Sequence, residues 1–353
     1  MFKPLNSGDK LVLFALAEDA TRTDAEIAER IEMKESTVGL HRRRLIANKQ
    51  LFFVNFPAFH KLGCEYLAKF YGKTDLAIPE SDRNRLCGEF FRGIPQIYDA
   101  VTGDGYMGGN AAFVDTADFL NFEDHLDSFF EDDASSKPSL AYSFFPYSIS
   151  NVWIGYNFAP MFHRTFDLEI PEPKTKHLGR FKTEYPIFSK VEARVMLELI
   201  ADPSASDAEI SRRVNRSRQR VTELRHQFLE QGLLTPIAVP TLHSLEFGVF
   251  AYVHLRFKPG TSLSKKISVA GDSWWRYSFN TLERNSEAFS GFVFRDFNEC
   301  KSLISEYLGP FEELRLLSTR PEIYVVSSES LIDLVDCSFV PLVRSLIMTR
   351  GGS

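Results

Sequence analysis

Apolar and polar positions along this chain form two matching blocks. Residues 11–62 and 194–245 align without a gap at an offset of 183 residues and share fourteen identities. In each block, apolar residues at helical spacing predict three short helices, the first over Lys10 to Glu18 and over Lys190 to Ala201. An extended apolar segment follows, Leu51 to Phe59 in the first block. Because self-similarity defines the repeating unit, one structural unit is about half of the chain.

The second helix of each block is expected to begin at a capping box. Thr23 stands three residues before Glu26, and Ser206 stands three residues before Glu209, so that each pair can satisfy free amides of the first turn. About four residues then lead to the third helix. A joint this short, with a polar outer face on the third helix, is typical of a helix-turn-helix that inserts its third helix into a major groove.

Basic side chains concentrate on the predicted third helices, although the chain carries a formal net charge of −6. Ser36 and Ser217 are expected to cap these helices. Arginine can neutralise phosphates and polar side chains can contact base edges, so we predict double-stranded DNA as a partner. The alternative is an ordinary solvated helix face. The predicted DNA-contacting residues are Lys34, Ser36, Thr37, Arg42, Arg43, Arg44, Ser217, Arg218, Gln219, Arg220, Thr222 and Arg225.

The segment ADPSASDAEISRRVNRSRQRVTELRHQFLEQGLL, residues 201–234, resembles the helix-turn-helix of the Lrp/AsnC (feast/famine) transcription regulators. Further on, Val101-Thr102-Gly103-Asp104 matches the hairpin turn of that family's ferredoxin-like sensor domain. The resemblance implies that Thr102, Gly103 and Asp104 border a site for a small-molecule effector such as an amino acid. In the second half the Gly-Asp turn is missing. The chain as a whole resembles two family-length proteins joined in tandem.

The predicted fold class is α+β. It consists of two winged-type helix-turn-helix modules, each followed by a ferredoxin-like βαββαβ domain, arranged as an intrachain pseudo-dimer that could oligomerise further. The expected domains are helix-turn-helix modules at 1–55 and 187–240, sensor domains at 56–169 and 241–328, a polar linker at 170–186 and a helical tail at 329–353.

Composition sets the outer limits of this interpretation. With 353 residues, 44% of them hydrophobic and 25% charged, the chain can bury more than one core. Neither a bilayer-spanning apolar run nor a signal peptide is evident, so we expect a cytoplasmic protein without a membrane partner. The four cysteines form no CxxC pair, which predicts buried thiols and neither a metal site nor a disulfide framework.

Motifs for catalysis are missing from the sequence. There is no HExxH, GxSxG or Walker pattern, and the glycines of Gly103 to Gly109 lie between two predicted strands, unlike a dinucleotide cradle. The main hypothesis is therefore a sequence-specific DNA-binding transcription regulator, modulated by a small molecule, without a cofactor and not an enzyme.

Two alternatives come from other functional classes. Siroheme decarboxylases are similar to Lrp/AsnC proteins in architecture, and the resemblance implies a histidine-bearing hairpin that holds the tetrapyrrole. The matching hairpins here, VTGDGYMGGNAAFV and TLERNSEAFSGFVF, contain no histidine, which favours the regulator. A scaffold whose helix-turn-helix modules bind protein is the other alternative, and it predicts no salt-dependent affinity for DNA.

Overall fold

The computed structural model describes residues 4–74, 78–131, 137–173, 179–245, 247–270 and 278–348. The chain divides into two compact units. Unit 1 comprises residues 1–53, 149–180 and 236–329, and unit 2 comprises residues 54–148, 181–235 and 330–353. Each unit therefore takes segments from both halves of the sequence.

The first half contains α1 (Ser7–Glu18), α2 (Asp24–Arg30), α3 (Glu35–Ala47), β1 (Leu51–Pro57), β2 (Tyr66–Lys73), α4 (Glu80–Gly93), β3 (Ile97–Gly103), β4 (Tyr106–Phe113), α5 (Thr116–Phe129), β5 (Ser139–Pro146), β6 (Asn151–Ile154) and α6 (Ala159–Thr165). The second half contains α7 (Lys190–Ala201), α8 (Asp207–Val214), α9 (Arg218–Glu230), β7 (Leu234–Pro240), β8 (Val249–Arg256), α10 (Leu263–Ala270), β9 (Ser278–Arg284), β10 (Glu287–Phe294), α11 (Phe297–Glu313), β11 (Glu322–Ser327), β12 (Ile332–Val335) and α12 (Val340–Met348).

Capping boxes start the second helix of both blocks, as the sequence predicts. The side chain of Thr23 accepts from the amide of Glu26, and that of Ser206 accepts from the amide of Glu209, while each glutamate accepts from the cap's own amide. Each box satisfies two amides that a helix start would otherwise leave open. These boxes depend only on residues three apart, so the local sequence determines them.

The third helices differ from each other at their N-cap residue. Ser217 caps α9, because its side chain accepts from the amide of Arg220. The prediction that Ser36 caps α3 is wrong. Lys34 holds the N-cap position there and offers no side-chain bond to the helix amides. Lys34 is the residue that aligns with Ser217 at the offset of 183, so α3 begins without the cap that its copy has.

Each of the two units contains one five-stranded sheet. The N-terminal sheet, in unit 2, has the order β12-β3-β4-β2-β5, and the C-terminal sheet, in unit 1, has the order β11-β8-β10-β9-β6. All of their strand pairs are antiparallel. The mixed α+β fold with ferredoxin-like sheets is thereby confirmed.

One face of each sheet packs two helices, α4 and α5 on the N-terminal sheet and α10 and α11 on the C-terminal sheet. Alternate residues of β2, such as Ala68 and Phe70, share a core with Phe90 and Phe91 of α4 and with residues of α5. Val253 of β8 and its alternate neighbours share the other core with residues of α10 and α11. Because successive side chains of a strand point to opposite faces, the intervening residues lie on the opposite face, which in the N-terminal sheet we call the helix-free face. In the C-terminal sheet, Phe158 at the start of α6 stacks on Phe279 of β9 on that opposite face.

The fifth strand of each sheet comes from the opposite half of the sequence. β6 pairs with β9, and β12 pairs with β3, where Ile332 lies opposite Thr102. The structure here differs from two expectations. Alternating aromatic residues predict one strand over Leu140 to Phe158, but this segment forms two strands, β5 and β6. The tail predicted to be helical begins with strand β12. An edge strand leaves amides and carbonyls unpaired, and a short segment such as IDLV satisfies them without showing a recognisable alternation.

Other connecting segments contain less regular structure. β1 and β7 form a two-stranded sheet. In the described part of the predicted linker, residues 170–173 and 179–186, the one ladder contact is an isolated bridge between Gly179 and Val152. Residues 174–178 of the linker lie outside the described residues. The same holds for residues 274–277, the start of a strand that the sequence predicts from Trp274 onward.

Candidate functional site

The predicted DNA-contacting residues fall into two structural groups. Three of these side chains, Arg42, Thr222 and Arg225, have partners within their own three-helix groups. Nε of Arg42 lies 2.8 Å from Asp24, and Nε of Arg225 lies 2.7 Å from Asp207. Thr222 Oγ1 donates to the same Asp207 at 2.6 Å. These side chains hold adjacent helices together, which explains them without a nucleic acid.

The remaining predicted residues lie at the surface or half-buried. Arg44 contacts the buried carboxylate of Asp9 at 3.2 Å, and Arg220 contacts Glu223 at 3.3 Å. The exposed residues are Lys34, Ser36, Arg43, Ser217, Arg218, Gln219 and Arg220, and Thr37 is half-buried. Their contact with DNA stays a prediction.

The predicted ligand residues Thr102, Gly103 and Asp104 form the end of a β-hairpin. Thr102 is buried, and its Oγ1 donates to the carbonyl of Tyr106 at 3.0 Å. Asp104 and Gly105 both have positive φ, 49° and 74°, as the tightest hairpin turns require. The Asp-Gly pair is thus explained by turn geometry, and a ligand contact at this turn stays a prediction.

A row of polar side chains crosses the helix-free face of the N-terminal sheet. Ser143, Lys69, Asn110 and Asp99 lie opposite one another on β5, β2, β4 and β3. Lys69 Nζ donates to Asn110 Oδ1, and Asn110 Nδ2 donates to Asp99 Oδ2. Ser143, Lys69 and Asn110 are each at most 3% exposed, so this row is a charged network inside the protein.

Burial governs the proton affinity of both charged members of this row. It lowers the pKa of Lys69 to about 8, although the nearby Asp99 carboxylate acts in the opposite direction. It raises the pKa of Asp99 to about 6, against the stabilising charge of Lys69 and the hydrogen bond from Asn110. At neutral pH the row therefore holds one positive and one negative charge, each at an energetic cost.

The face of the C-terminal sheet opposite α10 and α11 is aromatic and contains a histidine. Phe250, Tyr252 and His254 alternate along β8, and Phe289 of β10 lies directly opposite His254. The ring centroids of Phe289 are 5.3 Å from Tyr252 and 5.7 Å from His254. All four side chains are buried. This face thus places one imidazole in a buried cluster of aromatic rings.

A carboxylate connects this histidine to an arginine. His254 Nε2 lies 2.7 Å from Oε2 of Glu287, and Arg284 Nε donates to Oε1 of the same carboxylate at 2.5 Å. Burial acts to raise the pKa of Glu287, but the bonds from His254 and Arg284 outweigh it and hold the pKa below its usual range. Glu287 is consequently ionised at neutral pH.

Further charged groups border the same face on the neighbouring strand. Arg256 Nη1 donates to Glu322 of β11, and the hydroxyl of Tyr324 donates to Oε2 of Glu322 at 3.0 Å. Glu322 lies opposite His254 in the strand register. Arg256 is about two-fifths exposed, so its guanidinium combines a protein partner with access to solvent.

The two sheets carry different side chains at positions that correspond in the repeat. At the offset of 183, Tyr71 corresponds to His254, and Lys69 corresponds to Tyr252. The segment FGVFAYVHLRF, residues 247–257, predicts a strand, but the sequence alone did not single out His254. The available signal was its parity, because His254 alternates with the core residues Val253 and Leu255 and must point to the other face.

The described residues contain neither a cluster placed to bind a metal nor a helix able to span a membrane. No group of three or more His, Cys, Asp or Glu side chains is placed there to hold a metal ion. Among the same residues, no helix has the length and apolar character that crossing a membrane requires.

Comparisons with known proteins find similarity in structure only. No protein-family model matches the chain, and no curated protein matches its sequence. The crystal structure of the siroheme decarboxylase NirDL is similar over 97% of this chain and 99% of its own, with 13% identity and a TM-score of 0.51. NirDL in complex with an iron-uroporphyrin III analogue gives 12% identity over the same shares and a TM-score of 0.52. The neighbours also include AsnC from E. coli, over 40% of this chain and 93% of its own, at 11% identity and a TM-score of 0.31.

These comparisons correct the main hypothesis from the sequence. The structure that matches along the whole chain is that of an enzyme, which contradicts the prediction of a transcription regulator without enzymatic activity and favours the alternative. The hairpin argument failed for a structural reason. The two hairpins contain no histidine, but His254 on β8 packs against Phe289 of the hairpin strand β10.

Proposed function

We propose that this chain is an enzyme that decarboxylates acetate side chains of a siroheme-type tetrapyrrole. The observation that carries the proposal is the buried His254, backed by the ionised Glu287 on an aromatic sheet face. The likeness to NirDL along the whole chain supports the class of substrate, since that protein was crystallised with an iron-uroporphyrin III analogue. The substrate's iron belongs to the substrate, and no resident cofactor is needed for the step below.

The chemistry requires a sink for electrons and a source of one proton. In an acetate arm, the bond between the methylene carbon and the carboxylate breaks, carbon dioxide leaves, and the electron pair remains on the methylene carbon. The conjugated macrocycle can delocalise that pair until a proton converts the methylene into a methyl group. An arm R–CH2–COO⁻ and one proton thus become R–CH3 and carbon dioxide, without oxidation or reduction.

His254 is the proposed proton donor in this step. It is buried beside the rings of Tyr252 and Phe289, which keep water away from the imidazole. The Glu287 carboxylate lies 2.7 Å from its Nε2, and histidine is the side chain that most often transfers protons in catalysis. Arg256, at the border of the same face, is the proposed counter-charge for a substrate carboxylate.

We also propose a finer architecture for the fold. The capping boxes repeated 183 residues apart support a tandem duplication, with winged-type helix-turn-helix modules at α1 to α3 and at α7 to α9. The reciprocal placement of β6 and β12, each in the sheet formed by the other half, supports an intrachain pseudo-dimer. The domain boundaries given above are retained as part of this proposal.

Incubation of the purified full chain with siroheme, followed by mass spectrometry of the extracted pigment, tests the function. We expect the mass to fall by one carbon dioxide for each acetate converted, and we expect His254→Gln to prevent this loss. Iron-uroporphyrin III serves as a second probe. A folded wild-type protein that binds neither tetrapyrrole and removes no carbon dioxide would overturn the proposal.

A further inference from the structure

The carboxylate of Glu287 is bonded on both of its oxygens, which is unusual for a group that could face substrate. Oε2 meets Nε2 of His254 at 2.7 Å, and Oε1 meets Nε of Arg284 at 2.5 Å. His254 and Glu287 are diagonal neighbours on adjacent antiparallel strands, since His254 lies opposite Phe289. Both bonds therefore run within one sheet face and leave the carboxylate little freedom to turn.

An ionised carboxylate can only accept hydrogen bonds, and that fact decides the proton positions on the histidine. Arg284 and His254 hold the pKa of Glu287 below its usual range despite burial, so Glu287 is ionised over the neutral range. The nitrogen facing it, Nε2, must then carry a hydrogen. Whichever nitrogen makes such a bond determines which nitrogen exchanges protons with a ligand.

Hydrogen bonds from Lys266 hold the turn that carries Arg284. Lys266 of α10 is fully buried, and its Nζ donates to Oε1 of Glu283 at 2.5 Å and to the carbonyls of Arg284 and Asn285 at 3.0 and 2.9 Å. The second oxygen of Glu283 accepts from Asn151 of β6 at 2.7 Å. A hairpin turn held by three bonds from one ammonium has a defined position, and so does the arginine that it carries.

We infer that Glu287 is a positioning residue, which fixes His254 as the Nε2-protonated tautomer and makes Nδ1 the atom that delivers the proton. Arg284 keeps the carboxylate ionised and aimed, and Lys266 holds Arg284 in place. The inference rests on the proposed function for its catalytic meaning, but its structural content concerns the histidine alone. Glu322, which lies opposite His254 on β11, is bonded by Arg256 and Tyr324.

The first measurement is spectroscopic and needs no substrate. The full chain is labelled with 15N-histidine, and the imidazole signals of His254 are assigned by their loss in His254→Gln. At alkaline pH the wild type is expected to show His254 protonated at Nε2. In Glu287→Gln the amide can donate as well as accept, so the preference should be lost and the Nδ1-protonated form should appear. A wild-type signal from the Nδ1-protonated tautomer, or a Glu287→Gln spectrum identical to wild type, overturns the inference.

The second measurement is kinetic, with siroheme as the substrate. Glu287→Gln is expected to lower kcat by about tenfold or more, because losing the carboxylate that orients a catalytic histidine costs serine proteases far more than this. KM should change by less than about threefold. Glu312→Gln, an equivalent change at an exposed position of α11, is the matched control and should leave kcat unchanged. Equal kcat values for Glu287→Gln and wild type would contradict the role.

A third variant protects the test against misfolding, because Glu287 is buried. Arg284→Met leaves the carboxylate in place and removes only the group that aims it, at a side chain that is about one-third exposed. It should shift the tautomer ratio in the same direction as Glu287→Gln, and by less. If wild type converts no siroheme, the proposed function fails, while the tautomer spectra still decide the inference.

Discussion

Arg225 and Asp207 close the joint between α8 and α9 by an ion pair that the chain makes twice. Nε of Arg225 lies 2.7 Å from Oδ1 of Asp207, and its Nη2 donates to the carbonyl of Ala205 at 2.9 Å. At the offset of 183, Arg42 binds Asp24 at 2.8 Å and donates to the carbonyl of Arg22 at 2.7 Å. A guanidinium can serve both acceptors at once, which explains the same residue types at both sites.

Replacing Arg225 by Lys should destabilise the three-helix group of α7 to α9. An ammonium keeps the charge but cannot span the carboxylate and the carbonyl with fixed geometry, so we expect a loss of about 1–2 kcal/mol in the free energy of unfolding. Urea titration followed by circular dichroism measures it. Arg220→Lys is the control, because its partner Glu223 is exposed and one turn away, and it should change stability by less than about 0.5 kcal/mol.

The contribution of Asp207 should disappear in acid. Burial acts to raise its pKa, but hydrogen bonds from Thr222 and Arg225 lower it below the ordinary 3.8. A carboxyl with a depressed folded pKa stabilises the protein above its unfolded pKa, and this stability is lost as pH falls through the folded value. Asp207→Asn should therefore be less stable than wild type at neutral pH, and the difference should shrink below about pH 4. A difference that is constant across this range would refute the linkage.

Lys69 and Asp99 should behave as a pair when either is removed. Asp99→Asn leaves the buried ammonium of Lys69 without its counter-charge, and we expect a cost of about 3–5 kcal/mol. Adding Lys69→Met should recover most of that loss, since a neutral row avoids the desolvation of both charges. The four proteins of this cycle can be compared by chemical unfolding. Additive losses from the two substitutions would show that the charges do not interact.

Two glycines allow a paired test of packing in the N-terminal sheet. A Cβ at Gly109 on β4 would collide with the backbone carbonyl of Asp99 and crowd the Cα of Ala100, and backbone cannot move aside as a side chain can. Gly109→Ala should cost about 1–3 kcal/mol or more. A Cβ at Gly93, the last residue of α4, meets nothing within 4 Å, so Gly93→Ala should be neutral or stabilising by up to about 1 kcal/mol. Thermal unfolding of both variants measures the contrast.

Substitution of His254 should separate catalysis from binding. His254→Gln removes the proposed proton donor while keeping a polar side chain of similar reach, and we expect kcat to fall by about 10²- to 10⁴-fold. Siroheme affinity, followed by the change in its absorption spectrum, should stay within about threefold of wild type. A large loss of affinity with unchanged kcat would assign His254 to substrate binding.

Features that depend on neighbouring residues were predictable from the sequence alone. The capping boxes Thr23 with Glu26 and Ser206 with Glu209 join residues three apart, so no other part of the chain can alter them. The periodicity of apolar residues predicted helices and strands, and with them the α+β class, whereas the resemblance to the Lrp/AsnC regulators implied the ferredoxin-like sheets. The cap at Ser36 was misassigned because a single hydroxyl near a helix start does not determine which residue comes first.

Other features were decided by pairings distant in sequence. His254 and Glu287 are 33 residues apart, and only the register of β8 against β10 makes them neighbours. Lys69, Asn110 and Asp99 likewise meet because three strands align, and nothing near each residue indicates a charged row. β12 joins β3 although more than 200 residues of chain separate them. The sequence by itself determined the local elements and their repetition, whereas the tertiary structure decided which side chains share a sheet face, because strand register depends on the packing of the whole sheet.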